Sequence, residues 1–183
     1  GEYDISGTIV GVVEKKKIID GKSIKPGDVL IGLPSTGLHT NGYSLARKAL
    51  FDKYKADEHV DELGKTVGEA LLEVHRSYFH AVKPLLDKDL LNGISHITGG
   101  GIIGNTIRIL PEGTAAEIDW NSWKPLPIFD LIQKTGNIDD EEMRHVFNLG
   151  IGIILIADKG NADEIMNMIS DEKPVIIGKV VSD

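Results

Sequence analysis

The chain contains no cysteine, which excludes a disulfide framework and any metal site built on thiolates. No apolar run is long enough to cross a bilayer, and no secretory signal peptide opens the sequence. Positive charge is scarce, since 20 Lys and Arg stand against 28 Asp and Glu. The resulting net charge of −8 argues against a nucleic-acid surface. We therefore expect a cytoplasmic protein whose partners are neither nucleic acids nor membranes.

What is present is the composition of a folded domain, with 41% hydrophobic and 26% charged residues. The 183 residues fit one medium domain, and neither an internal repeat nor a low-complexity linker divides them. Strand and helix patterns are interspersed, which predicts a single α/β (α+β) layered domain with a mixed sheet over residues 1–183. Because Gly1 stands where an initiator methionine would be, we expect a processed chain or a piece of a longer protein.

Short apolar and β-branched runs predict six strands, of which Ile151–Ala157 is the most apolar and is expected to be central. The other predicted strands are 5–14, 29–33, 94–97, 115–118 and 175–181. Apolar residues at three- and four-residue spacing predict helices at 42–53, within 67–86, from 101, around 127–132, at 139–146 and at 162–169. The helical region 67–86 is either two helices or one helix broken before Pro84.

A loop before the first predicted helix holds many hydrogen-bonding side chains, in the segment Gly32 to Lys48, GLPSTGLHTNGYSLARK. Thr40 or Asn41 is a suitable N-cap, because its side-chain oxygen can accept a free backbone amide. The amides of the first helical turn could also hold an anion. The alternative is a capped helix after a turn, with His39 at the surface. The candidate ligand-binding residues are Ser35, Thr36, Gly37, His39, Thr40, Asn41, Gly42 and Arg47.

A second candidate is the segment His96 to Arg108, HITGGGIIGNTIR, in which three glycines join a predicted strand to a helix. Each glycine loses more backbone entropy on folding than another residue would, so such a run indicates positive φ angles or a ligand against the backbone. Successive amides in such a turn form an anion-binding nest. The alternative is a tight turn that serves helix packing. The candidate ligand-binding residues are Thr98, Gly99, Gly100, Gly101 and Asn105.

Other chemistries fail on spacing. No G-x-x-x-x-G-K-[ST] motif is present, and the segment 32–37 is one residue too long for a G-x-S-x-G nucleophile elbow. His75 and His80 are five residues apart and do not form an H-E-x-x-H zinc pair, so we predict no metal-ligating residues. His59, His75, His80 and His145 are interpreted as surface or packing residues, and Asn148 as a residue that bridges loops.

Four motifs in register carry a resemblance that covers essentially the whole chain. They are GEYDISGTIVGVVEK, DVLIGLPSTGLHTNGYSLARK, HITGGG and FNLGIGI. In this order they resemble the C-terminal half of the AIR synthetases, the phosphoribosylformylglycinamidine cyclo-ligases of purine biosynthesis. The resemblance implies a three-layer α/β fold around a mixed sheet. It also implies a homodimeric parent protein whose N-terminal domain, absent from this chain, binds most of the ATP and the Mg²⁺.

The resemblance further implies that ATP drives closure of formylglycinamidine ribonucleotide to aminoimidazole ribonucleotide, and that this half is inactive alone. His39 is then the best catalytic candidate, because an imidazole pKa can lie near neutrality. The turn from Thr98 to Gly101, together with Asn105, would hold the ribose phosphate of the substrate. Many family members have Glu where Gly104 stands and Pro where Ile107 stands. The alternatives are a related ATP-dependent enzyme of the same superfamily and a non-catalytic module that binds phosphate or nucleotide.

Overall fold

Residues 6–183 are described by the computed structural model, and they form seven β-strands and seven α-helices. The strands are β1 (Val29–Pro34), β2 (His59–Val60), β3 (Lys65–Thr66), β4 (Gly93–His96), β5 (Thr114–Ile118), β6 (Ile151–Ala157) and β7 (Val175–Ser182). The helices are α1 (Tyr43–Phe51), α2 (Val67–Leu71), α3 (Phe79–Asp87), α4 (Gly101–Thr106), α5 (Pro127–Gly136), α6 (Asp140–Val146) and α7 (Ala162–Met168). Helical region 67–86 is therefore two helices, and α3 continues through Pro84.

Five strands form the main sheet in the order β4-β6-β1-β7-β5, and β2 pairs with β3 in a separate hairpin. Every pairing in the main sheet is antiparallel, so the predicted mixed sheet is wrong. The reason lies in the strand order. β6 and β7 are joined through α7 and run in the same direction, but β1 lies between them and is antiparallel to both. A parallel pair therefore never forms among the described strands.

Helices cover both faces of the sheet, which confirms the predicted three-layer α+β arrangement. Alternate residues of β1 point to opposite faces, as the two-residue period of a strand requires. Ile31 packs in a core with residues of α3 and α7, whereas Leu30 packs in a second core with Ile102 of α4. A third core joins α1, α2, α5 and α6. It lies at the end of β1, where the loop of residues 35–42 begins.

The strand predicted at 5–14 is wrong over the described residues, because 6–14 form no strand and lie exposed. Val10 is 88% exposed and Val12 101% exposed. A strand needs a neighbour to satisfy its backbone groups, and residues 6–183 supply none for this segment. Ile5, the first residue of that predicted strand, lies outside the described residues.

The remaining strand predictions agree with the structure to within two residues at each end. β6 is buried along its length and pairs on both sides, as its apolar sequence predicts, although β1 is the middle strand. No helix in the described part of the chain is long and apolar enough to span a bilayer.

Candidate functional site

The loop between β1 and α1, residues 35–42, is called the first loop. Asn148, just before β6, hydrogen-bonds to it. Ser35 Oγ donates to Asn148 Oδ1 over 2.9 Å, and Asn148 Nδ2 donates to the carbonyl of Gly37 over 2.9 Å. The amide of Gly150 donates to the same Oδ1 over 2.8 Å. Asn148 is only 4% exposed, so these bonds form away from water. The prediction that Asn148 bridges loops is confirmed, and the loop 35–42 has a fixed position on the sheet.

No side chain caps the N-terminus of α1, the helix that follows this loop. Gly42 is the N-cap of α1 with φ +79°, and no side chain hydrogen-bonds to the free amides, so the predicted cap by Thr40 or Asn41 is wrong. A Cβ at Gly42 would lie 2.4 Å from Cε1 of Phe147, so only glycine fits this close passage. Within residues 6–183 neither Thr40 nor Asn41 uses its side chain in a hydrogen bond, which leaves both available to a ligand.

The glycine turn between β4 and α4, residues 98–101, has the backbone geometry that its sequence predicts. Gly100 and Gly101 have φ angles of +102° and +63°. A Cβ at Gly101 would lie 1.9 Å from the carbonyl oxygen of Arg144, so this position excludes every other residue. At Gly100 the nearest atoms to such a Cβ include an Arg108 guanidinium nitrogen at 3.8 Å. The outer side of the turn therefore faces a cation.

Asn105 braces this turn from within. Its Nδ2 donates to the carbonyls of Thr98 and Gly101 over 3.1 and 2.7 Å, and Thr98 Oγ1 donates to its Oδ1 over 2.9 Å. Asn105 is buried, and its side-chain donors are spent on the loop. It therefore stabilises the turn and does not present a free donor.

The two loops adjoin each other. A Cβ at Gly99 would lie 3.5 Å from Oδ1 of Asn41, so the first loop and the glycine turn come into contact at this point. Ile97, at the entry to the turn, donates its amide to the carbonyl of Gly152 on β6 over 3.0 Å. The sheet thus holds both loops at the same end of its strands, with Asn41 beside the glycines.

His39 is buried at the base of the first loop, with 3% of its surface exposed and a positive φ of 58°. The Thr36 amide donates to His39 Nε2 over 3.2 Å, so the ring proton resides on Nδ1, which has no hydrogen-bond partner in the described part of the chain. Burial, then the nearby His75, His96 and Arg76, lowers the His39 pKa from 6.5 to about 4. The expectation of a pKa near neutrality is therefore wrong, because burial removes the water that would stabilise the charged ring.

A strap of residues 72–78 passes over the first loop. Thr36 Oγ1 donates to the carbonyl of Val74 over 2.6 Å, and Tyr78 Oη donates to the carbonyl of Pro34 over 2.8 Å. Arg76 donates to the same Pro34 carbonyl over 3.2 Å and pairs with Glu172. The strap thus covers the residues that lead from β1 into the loop.

His75 is the site residue that the sequence reasoning assigned to the surface or to packing. Its ring stacks on His39 with centroids 3.9 Å apart and planes 15° from parallel. Its Nε2 lies 3.3 Å from Nε2 of His96, which ends β4. Burial, followed by the charge of His96, lowers the pKa of His75. No spacing in the sequence signals this contact, because the three histidines come from separate parts of the chain.

Some candidates lie outside this arrangement. Arg47 is exposed on α1 and makes no hydrogen bond or ion pair to the loops within residues 6–183. The Thr36 hydroxyl donates to the strap, and the Ser35 hydroxyl donates to Asn148, so neither hydroxyl hydrogen is free for a ligand. No group of three or more His, Asp or Glu side chains in the described chain is arranged to hold a metal ion.

An α+β domain with helices on both faces of an antiparallel sheet is the class that this fold defines, and solved structures share it. The hydrogenase maturation protein HypE matches with a TM-score of 0.58 and 17% identity, over 88% of this chain and 46% of that one. Thermotoga maritima PurL complexed with FGAR matches with a TM-score of 0.56 and 17% identity, over 94% and 27%. At these identities the likeness concerns the fold alone.

Sequence comparison identifies the family. Residues 25–183 match the family described as AIR synthase related protein, C-terminal domain, and the chain belongs to that family. A phosphoribosylformylglycinamidine cyclo-ligase of Bifidobacterium longum is 48% identical over 100% of this chain and 54% of its own length. One from Alkaliphilus metalliredigens is 42% identical over 99% and 53%. The chain thus spans about half the length of these curated relatives.

Proposed function

We propose that this chain is the C-terminal half of an ATP-dependent ligase that closes formylglycinamidine ribonucleotide to aminoimidazole ribonucleotide. Relatives that bear the cyclo-ligase name match the chain from end to end at 48% identity. The single observation that carries the proposal is the contact between the two loops at Asn41 and Gly99. This contact gathers backbone amides and an exposed guanidinium at one end of the strands, as a ligand rich in phosphate oxygens requires.

The proposed reaction has two steps. The γ-phosphoryl group of ATP passes to the amide oxygen of the substrate and releases ADP, which turns a poor leaving group into a good one. The neighbouring nitrogen then attacks the activated carbon, the carbon–oxygen bond breaks, and inorganic phosphate departs. Such a reaction depends on charge stabilisation and positioning more than on a strong protein nucleophile. Two loops of fixed amides are suited to that task.

The division of labour between the loops follows from their exposed groups. We propose that the turn 98–101 holds the ribose phosphate, since consecutive positive φ angles are typical of anion-binding turns and the Arg108 guanidinium lies beside Gly100. The side chains of Thr40 and Asn41, free of internal hydrogen bonds in the described chain, would contact the phosphorylated end of the ligand. Gly37 and Gly42 allow the first loop its close turns.

His39 is proposed as the catalytic residue of this half, in a role that its burial restricts. A ring whose pKa lies at about 4 is neutral at physiological pH and does not act as a cationic clamp. Its Nδ1–H is the remaining hydrogen-bond donor of the ring, because Nε2 already accepts from the Thr36 amide. We expect this donor to orient a ligand oxygen or a water molecule during proton transfer.

The partners and cofactors of the whole protein extend the same proposal. The relatives are nearly twice as long as this chain, which supports a further half in the parent. We propose that this upstream half binds ATP and that the parent is a cytoplasmic homodimer. PurL, a neighbour in fold, has been solved in complex with ATP and with ADP. We assign Mg²⁺ to the upstream half together with the ATP, since Mg²⁺ is held in part by nucleotide phosphates. Leu72, Val74 and Phe79 are exposed apolar residues that such a half would cover.

The test is an assay of the full-length parent protein with formylglycinamidine ribonucleotide and ATP. We expect production of aminoimidazole ribonucleotide, ADP and phosphate by the parent and none by this chain alone. His39→Ala in the parent should lower kcat by at least a hundredfold while the circular dichroism spectrum is unchanged; turnover close to wild type would remove His39 from the mechanism. A parent that binds phosphorylated ligands without turnover would favour the non-catalytic module instead.

A further inference from the structure

His75 contacts both parts of the candidate site with one side chain. Its ring stacks on His39 of the first loop at 3.9 Å, and its Nε2 meets Nε2 of His96 at 3.3 Å. His96 is two residues before Thr98, where the glycine turn begins. A side chain between two loops can set the distance that separates them.

The backbone around His75 is held firmly enough for this task. The carbonyl of Val74 accepts from the Thr36 hydroxyl, and Arg76 is tied to Pro34 and Glu172. The residue before His75 and the residue after it are thus both attached to other parts of the chain. Leu72 and Val74 of the strap are each 80% exposed. The strap thus leaves these apolar side chains on the surface, while the imidazole of His75 faces the first loop. Apolar packing therefore does not explain the ring's position.

The contact between His75 and His96 requires one ring to be the hydrogen-bond donor and the other the acceptor. His75 and His96 meet through the same kind of nitrogen, so one Nε2 must donate and the other accept. A proton on both Nε2 atoms would set two N–H donors against each other at 3.3 Å, so the contact pairs one protonated with one unprotonated Nε2. This bond orients the His96 ring beside the start of the glycine turn.

We propose that His75 is a positioning residue that fixes the spacing between the first loop and the glycine turn, through its stack on His39 and its hydrogen bond to His96. This inference rests on the proposed function, because the spacing matters only if one phosphorylated ligand spans both loops. His75 itself touches no reacting atom in this assignment. Its loss should weaken ligand binding and leave the fold intact.

The experiment separates the stack from the hydrogen bond. His75→Phe keeps a flat ring against His39 and removes Nε2, whereas His75→Ala removes both contacts. His80→Ala is the matched control, since His80 is an exposed histidine on α3 whose ring lies edge-on to Phe79. For each variant, ring-nitrogen NMR spectra report His39 and His96, and a titration with ribose 5-phosphate reports affinity.

We expect His75→Phe to shift the ring nitrogens of His96 while those of His39 and the Thr36 amide stay near their wild-type positions. His75→Ala should shift all of them. The affinity for ribose 5-phosphate should fall at least fivefold in both variants and stay within twofold of wild type in His80→Ala. In the parent enzyme KM for the ribonucleotide should rise more than kcat falls.

Two results would overturn the proposal. One is a set of His96 ring-nitrogen signals that neither variant changes. The other is an affinity within twofold of wild type in both folded variants. If the wild-type chain itself does not bind ribose 5-phosphate, the phosphate site of the proposed function loses its support. The ring-nitrogen spectra still decide whether His75 links the two loops, so the two failures can be told apart.

Discussion

At the scale of single residues, the site depends on places where no side chain fits. Gly152 on β6 lies against the rings of Tyr78 and His39. A Cβ there would be 2.0 Å from Tyr78 Oη and 2.6 Å from His39 Cε1. Gly104 on α4 is a contrasting case, since a Cβ there would meet no atom within 4 Å. The same residue type is thus required at one position and dispensable at the other.

We expect Gly152→Ala to destabilise the chain by about 1–3 kcal/mol, because a packed core must shift to admit one methyl group. Gly104→Ala should stabilise it by about 0.5–1 kcal/mol, since alanine loses less backbone entropy in a helix. Urea denaturation of both variants against wild type measures the difference. Equal effects of the two substitutions would contradict the packing described around His39.

His39 also makes stability depend on pH. Its pKa is about 4 in the folded chain and about 6.5 when unfolded, so the unfolded chain binds a proton more readily between these values. The stability that neutral His39 contributes is therefore complete above pH 6.5 and is lost as the pH falls to 4, a total of about 3 kcal/mol. The lowered pKa of His75 acts in the same direction.

The measurement is the free energy of unfolding from urea titrations at several pH values between 7 and 4. A His39→Gln variant provides the comparison, because it lacks the titrating ring while carboxylates titrate alike in both proteins. We expect the wild-type free energy to fall more steeply with acidification than that of the variant. Parallel pH profiles would mean that His39 is solvated in the folded chain.

At the scale of elements, the site is an assembly of loops that the sheet holds in register. β1 leads into the first loop, β4 into the glycine turn, and β6 begins beside both. Asn148, just before β6, closes this arrangement through Ser35, Gly37 and Gly150. One buried amide thus connects a loop to a strand that lies more than 100 residues further along the chain.

We expect Asn148→Ala to cost about 3 kcal/mol, because it leaves buried donors and acceptors without partners. Asn167→Ala, at an exposed position of α7, is the matched control and should change stability by about 0.5 kcal/mol or less. Thermal and urea unfolding measure both. Hydrogen exchange at the amides of residues 35–42 should accelerate only in Asn148→Ala, and unchanged protection there would show that the loop is held by other contacts.

The fold was largely predictable at this scale. Periodicity and glycine position located β1, β4 to β7 and the longer helices, since local patterns report which residues are buried. They failed for residues 6–14, where β-branched residues predict a strand but no neighbouring strand is available in residues 6–183. They also failed for sheet direction, because strand order is set by contacts between distant segments.

At the scale of the whole molecule, apolar residues near the start of the described chain lie exposed. Val10 and Val12 are almost fully exposed, and the family match begins only at residue 25. Residues before 25 thus precede the matched domain, in a chain that spans about half the length of its relatives. We propose that this segment packs on the upstream half of the parent.

A double substitution tests this packing. Val10→Lys with Val12→Lys should change the stability of the chain by less than about 0.5 kcal/mol, because neither residue is packed in it. In the parent protein the same change should lower the melting temperature and speed proteolysis between the halves. Asn121→Lys with Asn167→Lys, two exposed positions elsewhere, adds the same charge as a control. Identical behaviour of the two parents would contradict an interface at residues 10–12.

The candidate site was predictable only in part. The glycine run at 99–101 and the polar loop at 35–42 are visible in the sequence because they depart from the composition of regular elements. The state of His39 was not, since its pKa is set by burial and by His75, His96 and Arg76, which the chain brings from other segments. Neither was the role of Asn105, whose donors are spent within the turn.

The sequence by itself determined the family, the helices and most strands, and the two segments that bear the site, because each of these is written in local pattern or in motifs. The tertiary structure alone decided that the sheet is antiparallel, that Asn41 adjoins Gly99, and that three histidines from distant segments meet. The reason is physical. Burial, ring stacking and strand order arise between residues far apart in the chain, and no local spacing encodes them.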